Sequence, residues 1–338
     1  MNEAVKVEHL TKIYNHSIKA VDDISFYLKE GEAFGFLGPN GAGKTTTIKM
    51  LTTLISKTSG QAYVYGNEIS SNSIAIRKLI GYTAQDIEVD EDLTGRENMI
   101  LSSRLYHLSA AKARQRGNEL FEILGLTEAA DRSAGTYSGG MRKRLDIATA
   151  LVHDPKIIFL DEPTTGLDPQ SRFALWDYIK GLNQKGTTIF LTTQYMEEAD
   201  NLCERLAIID NGKIVAEGTP EHLKEEIGGD TITLEIKDSS NSGVTSRDNA
   251  VKTLTGLPNI KDIKVLDNNR LSLNAANGSY IIPEIVSLLQ EQNIVLGRLE
   301  FANSSLDDVF LKYTGHELRV EEQKKKSNVM HHGRKRRS

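Results

Sequence analysis

A chain of 338 residues with 39% apolar and 26% charged residues has ordinary globular composition and enough apolar material for a core, which excludes a disordered polymer and suits one large α/β domain followed by a smaller one. The net charge of −5 opposes a general nucleic-acid binder, the single Cys203 excludes an internal disulfide framework or cysteine-rich zinc site, and no apolar run approaches the roughly 18 residues of a spanning helix. The start, Met1-Asn2-Glu3-Ala4-Val5-Lys6, lacks a signal-peptide pattern, so a cytosolic chain that does not itself cross a bilayer is expected.

Period-two patterns predict strands over 4–14 and 18–28, the second carrying Val21, Ile24, Phe26 and Leu28. A short apolar strand over 33–37 runs into a glycine-rich turn, and a helix is expected over 44–54. Residues 96–124 read as helical, entered through Thr94-Gly95-Arg96-Glu97, a capping box. They form a helical subdomain of about 86–150 within the first domain. Strand and helix then alternate: a strand over 157–160, a helix from Asp168-Pro169, a strand over 187–191, a helix over 196–202 and a strand over 206–209. Asp210-Asn211-Gly212-Lys213 is a tight-hairpin signal leading to a strand over 214–217, and Thr219-Pro220 starts a short helix.

The pattern changes after Gly228-Gly229, which sets the expected domains at 1–228 and 229–316. Strands at 231–236, 260–266, 270–274 and 294–301, with helices at 246–254 and 280–290, give the order βαββαβ, a ferredoxin-like arrangement. Residues 317–338 form a basic tail with the composition of solvated disorder, alternatively a contact for an anionic membrane leaflet. The His331-His332 pair has no metal-ligand spacing with other candidates, Trp176 reads as helix core, and Cys203 as a small packed residue.

Chemistry concentrates in two places. Gly38-Pro39-Asn40-Gly41-Ala42-Gly43-Lys44-Thr45, with Thr46 beside it, lies between an apolar strand and a helix. That context fits a phosphate-binding loop: glycines turn backbone N–H groups inward, Lys44 reaches the β- and γ-phosphates, and the Thr45 hydroxyl takes Mg²⁺. The competing reading is a glycine-rich turn with an incidental lysine. Ile157-Ile158-Phe159-Leu160-Asp161-Glu162 is an apolar strand ending in two acids at the edge where α/β sheets bind ligands. Asp161 is expected to hold Mg²⁺ and Glu162 to orient and deprotonate an attacking water. A further anion site is read at Ser138-Gly139-Gly140, a hydroxyl and two small residues before a helical stretch, far along the chain from the first.

With Tyr137-Ser138-Gly139-Gly140-Met141 following the phosphate loop and preceding the acid pair, the chain resembles the ATPase domains of ABC transporters over about 4–220. The resemblance implies ATP and Mg²⁺ as ligands, Tyr14 as the aromatic that stacks on adenine, and Gln85 as the loop glutamine that senses Mg²⁺ and the membrane partner. It implies that Thr165-Gly166-Leu167-Asp168 links two ATP sites and that Ser138 completes the site of a second subunit, expected to be another copy of this chain. The transmembrane pathway would come from a separate permease, with this chain peripheral on the inner face of the cell membrane. Met141 and Gln194 stand where the family usually has glutamine and histidine. Gln194 can still donate to a γ-phosphate or water, though it cannot carry a charge. Both departures, the tail domain, and Ser305-Leu306-Asp307-Asp308-Val309-Phe310 are similar to the daunorubicin-resistance type of drug exporter. A soluble ABC ATPase and a nucleotide-gated scaffold stay open as alternatives, the second because of Gln194.

Overall fold

In the computed structural model, which describes residues 3–316 other than 16, 228, 238–245, 267–268 and 276–277, β1 (Glu3–Tyr14) and β2 (Ile18–Lys29) pair antiparallel. On β2 the alternation buries Val21, Ile24, Phe26 and Leu28 and turns Ser25, Tyr27 and Lys29 outward. β3 (Ala33–Leu37) leads into α1 (Lys44–Leu51), which stops short of residue 54 because Thr53 adopts a left-handed φ of 62°. Four elements then appear that no periodic pattern announces: β4 (Ser59–Val64), β5 (Asn67–Glu68), α2 (Ser73–Leu79) and β6 (Ile80–Thr83). They are too short to display a period.

The helical stretch 96–124 is two helices, α3 (Gly95–Leu105) and α4 (Ala110–Ile123). The Thr94–Glu97 capping box starts the first as expected. The break comes from His107 at φ 57° and from Ser109, whose Oγ accepts from the Lys112 N–H and caps the second. The chain continues through α5 (Gly139–Leu151), β7 (Ile157–Asp161), α6 (Pro169–Gln184), β8 (Thr188–Thr193), α7 (Met196–Leu202), β9 (Arg205–Asp210) and β10 (Lys213–Gly218). Asn211 and Gly212, at φ 47° and 79°, make the hairpin between the last two.

The six-stranded sheet runs β10-β9-β3-β8-β7-β6, with all pairs parallel except β10 with β9. Every residue of β3, β7 and β8 is buried, which explains the apolar runs of β3 and β7 up to Asp161 and the apolar centre of β8 between its threonines. A four-stranded antiparallel sheet, β2-β1-β4-β5, shares its core: Phe26 meets Phe34, Phe36 and Phe190 at ring-centroid distances of 5.6, 5.1 and 5.9 Å. Cys203 fills the space over Gly35, where a Cβ would meet its Sγ at 2.5 Å, and buried Trp176 donates its Nε1–H to Glu198 Oε1 at 3.1 Å. Leu37 pairs with Thr193 and Asp161 with Thr192, so the loops after β3, β7 and β8 leave the sheet at one edge.

One compact unit ends at Thr219 and a second begins at Pro220, so α8 (Pro220–Glu226) belongs to the second unit. Within that unit, Lys312 Nζ and Lys261 Nζ donate to the carbonyls of Glu226 and Glu225 at 3.0 and 2.8 Å. β11 (Asp230–Ile236), α9 (Ser246–Leu254), β12 (Ile260–Val265), β13 (Arg270–Ala275), α10 (Gly278–Glu291) and β14 (Leu296–Ala302) form a ferredoxin-like antiparallel sheet in the order β12-β13-β11-β14. Ile232, Leu234, Leu271 and Leu273 pack against Leu254, Ile281 and Ile285. A last helix, α11 (Leu306–Thr314), starts from a capping box between Ser305 and Asp308. The basic tail, including His331 and His332, lies outside the described residues. Among the described residues no helix is long and apolar enough to cross a membrane.

Candidate active site

The turn from β3 into α1 borders a cavity of about 420 Å³, lined by Ala20, Asn40, Gly41, Gly43, Lys44, Thr45, Thr46, Gln85 and Glu162. Two glycines of this turn are steric requirements. Gly43 caps α1 at φ 108°, and a Cβ there would lie 2.4 Å from the Ala20 carbonyl oxygen; at Gly38 it would lie 2.2 Å from that of Ile209. Without those Cβ atoms the loop closes tightly enough for the N-terminus of α1 to border the cavity, where its partial positive charge favours anions.

Lys44 is buried, and its ammonium is fully engaged. Nζ donates to the carbonyls of Gly38 and Pro39 at 2.8 and 3.0 Å and pairs with Glu162 Oε1 at 3.0 Å. Burying such a pair adds little net stability, so its value lies in a fixed cation at the cavity wall. Thr45 Oγ1 donates to Asp161 Oδ1 at 3.0 Å, and Thr192 Oγ1 donates to the same oxygen at 2.6 Å. Burial pushes the Asp161 carboxyl up and the charge of Glu162 adds to this, against the pull of both hydroxyls and of Lys44.

Glu162 comes directly after β7 with φ 47°, a left-handed conformation that costs a non-glycine residue about 1–3 kcal/mol. What holds it is the neighbouring strand: its N–H donates to the carbonyl and hydroxyl oxygens of Thr192 at 3.1 and 3.2 Å. Its other carboxylate oxygen, Oε2, accepts from Thr165 Oγ1 at 3.1 Å and from Gln194 Nε2 at 3.5 Å. Strained backbone with an over-determined side chain is the pattern expected where position matters to chemistry.

The residues expected from sequence therefore divide. Asn40, Gly41, Gly43, Lys44, Thr45, Thr46, Gln85 and Glu162 share the cavity, while Asp161 and Gln194 join it through Thr45 and Glu162. Gly38 and Pro39 serve through their carbonyls, and Ala42 O accepts from the Gly212 N–H at 3.0 Å, tying the loop to the β9–β10 hairpin. Tyr14 stands at the end of β1 opposite Ile18, with Lys12 Nζ 5.0 Å from its ring centroid, and does not line this cavity. Nor do Ser138, Gly139 and Gly140. Ser138 is the exposed cap of α5, its Oγ accepting from the Met141 N–H at 3.2 Å. Thr192 belongs to none of the sequence motifs, although a polar side chain ending an apolar strand demands a buried partner.

The donor set suits a hard cation. A hydroxyl, a carboxylate and an amide from Thr45, Asp161 and Gln85 all offer oxygen, and Mg²⁺ characteristically takes one or two such protein ligands plus phosphate oxygens. Among the described residues no three His, Cys, Asp or Glu side chains cluster to hold a metal alone.

Comparison with known proteins points to nucleotide binding. The family model for ABC transporters matches residues 21–165, and that for the C-terminal domain of DrrA1-3-like ATP-binding proteins matches 218–314. The chain is 42% identical to the daunorubicin/doxorubicin resistance ATP-binding protein DrrA of Streptomyces peucetius, over 93% of each chain. It is 36% identical to the linearmycin resistance ATP-binding protein LnrL of Bacillus subtilis, over 93% of this chain and 99% of the relative. Among solved structures, a dimeric ATP-binding cassette in a post-hydrolysis state with ADP and Pi is similar with a TM-score of 0.58 and 28% identity, covering 64% of this chain and 98% of that one.

Proposed function

Because this chain belongs to the ATP-binding proteins of ABC transporters, we propose that two copies of it form a Mg²⁺-dependent motor at the inner face of the cell membrane. The motor powers export of a drug or other hydrophobic compound through a separate transmembrane subunit. The relatives named for resistance to daunorubicin, doxorubicin and linearmycin support the class of cargo.

One observation carries the catalytic part: Glu162 is shared by Lys44, Thr165 and Gln194 at the mouth of the loop. When ATP enters, Lys44 exchanges the Glu162 carboxylate for β- and γ-phosphate oxygens. Thr45, Asp161 and Gln85 would hold Mg²⁺, which when bound would supply positive charge to the phosphate oxygens. Freed from Lys44, Glu162 accepts a proton from water as the water oxygen bonds to the γ-phosphorus and the bond to ADP breaks. Thr165 and Gln194 hold the base and the water in line. Gln194→Ala is expected to slow turnover by about 10- to 100-fold, the worth of one hydrogen bond to a charged group, with ATP affinity little changed. Steady-state kinetics beside nucleotide titration checks it; a purified Gln194→Ala chain with undiminished kcat removes Gln194 from the site.

The transport part is supported by a groove of about 530 Å³ whose lining includes Leu54, Ile74, Ile80, Tyr82, Leu105 and Tyr106. Ile74 and Leu105 are 73% and 72% exposed, a concentration of open apolar surface typical of a protein contact. We assign it to the permease. Leu105→Glu, alone or with Ile74→Glu, is expected to cut co-purification with a multi-span membrane subunit by about tenfold or more while the isolated chain hydrolyses ATP normally. Undisturbed co-purification moves the permease to another face. Loss of drug resistance in cells carrying the variant, restored by the wild-type chain, tests the export reading.

A further inference from the structure

Helix α5 buries a lysine and an aspartate among inward residues that are otherwise apolar, Leu145, Ile147, Ala148 and Leu151. The Lys143 side chain is 3% exposed, and that of Asp146, one turn on, is 7% exposed; their charged atoms lie 3.5 Å apart. Lys143 Nζ donates to the Ala84 carbonyl at 2.6 Å and lies 3.5 Å from that of Gln85. The backbone of Glu88 and the Lys143 ammonium both favour the charged form of the Asp146 carboxyl. Lys143 thus grips the start of the irregular segment after β6, and Gln85 on that segment lines the cavity. Burial pulls Lys143 down and pushes Asp146 up to about 6, while the carboxylates of Asp146, Asp161 and Asp86 oppose the loss of charge on the lysine. A pair of this kind is a poor source of stability compared with apolar packing, so its use here calls for another reason.

We propose that Lys143 is a positioning residue for Gln85, bolting the loop of one ATP site to the helix whose first turn carries Ser138. The inference rests on the reading of the cavity as an ATP site. Its consequence is that Gln85 and the N-terminus of α5 move as one body. A change at one nucleotide is thereby transmitted to the surface that meets the second subunit.

The test uses the purified full chain. Lys143→Met is expected to bind trinitrophenyl-ATP without Mg²⁺ within about twofold of wild type, to lower kcat about tenfold or more, and to raise the Mg²⁺ concentration for half-maximal hydrolysis, as Gln85→Ala does. Residues acting through one another are non-additive, so the Lys143→Met/Gln85→Ala chain is expected to lose no more than the worse single variant. Asp146→Asn keeps the shape of the side chain beside Lys143 and drops its charge. It is the second variant should Lys143→Met fold poorly, with a smaller loss in kcat and the same non-additivity. Multiplying losses in either double variant, or an undiminished kcat in folded Lys143→Met, overturn the bolt. A full kcat in Gln85→Ala overturns the reading of the cavity along with it.

Discussion

Replacing Glu162 by glutamine is expected to lower steady-state ATP hydrolysis by about 10²- to 10⁴-fold, the share that a positioned general base supplies, while ATP still binds. The substitution is close to isosteric. A glutamine oxygen can still accept from Thr165 Oγ1, which lies 3.1 Å from Glu162 Oε2, and the backbone N–H keeps its bonds to Thr192. What disappears is the basic oxygen proposed to receive the water's proton. The charge pairing with Lys44 disappears too, yet Lys44 keeps the carbonyls of Gly38 and Pro39, so its ammonium becomes more available to phosphate. Binding is therefore expected to stay level or tighten as turnover collapses. Phosphate release measured beside titration with a fluorescent ATP analogue separates the two effects. A Glu162→Gln chain that turns over at the wild-type rate places the base elsewhere.

The parts of this site that can be read directly from sequence are those whose chemistry is local. The loop 38–45 and the acid pair Asp161-Glu162 each sit within a few residues of a buried central strand, and such strands read as unbroken apolar runs. Partners brought together by sheet register are not local. Thr192 meets Asp161 across 31 residues and Lys143 meets Ala84 across 59, and only the pairing of β6, β7 and β8 makes those contacts possible. The same distinction holds for the fold. The βαββαβ order of the second unit shows in its strand and helix periods, whereas β4, β5, α2 and β6 are too brief to show one. The break between α3 and α4 is a backbone event at His107, a residue type that does not announce a left-handed φ as glycine does.

Mixing two inactive chains is expected to restore hydrolysis, provided that one carries Lys44→Met and the other Ser138→Glu. Ser138 is exposed at the N-terminus of α5 and borders no part of the cavity that holds Lys44. Its Oγ accepts from the Met141 N–H at 3.2 Å, and Ser171 packs so closely on the neighbouring Gly140 that a Cβ there would lie 2.6 Å from the Ser171 hydroxyl. If Ser138 serves the ATP of a second copy, each complete site takes its lysine from one chain and its serine from the other, as two-fold symmetry requires. Lys44→Met alone removes the phosphate-binding cation from both sites of a homodimer. Ser138→Glu alone sets a carboxylate against the phosphate in both, reversing the favourable field of the helix N-terminus. A mixed dimer concentrates both lesions in one site and leaves the other intact, so free exchange should recover about a quarter of wild-type activity: half of the dimers, with half of their sites. Uniting both substitutions in one chain and mixing it with wild type gives a mixed dimer with no intact site, which is the necessary control. Should the first mixture stay as inactive as its components although the chains demonstrably exchange, each cavity works alone and the two-chain site has to be given up.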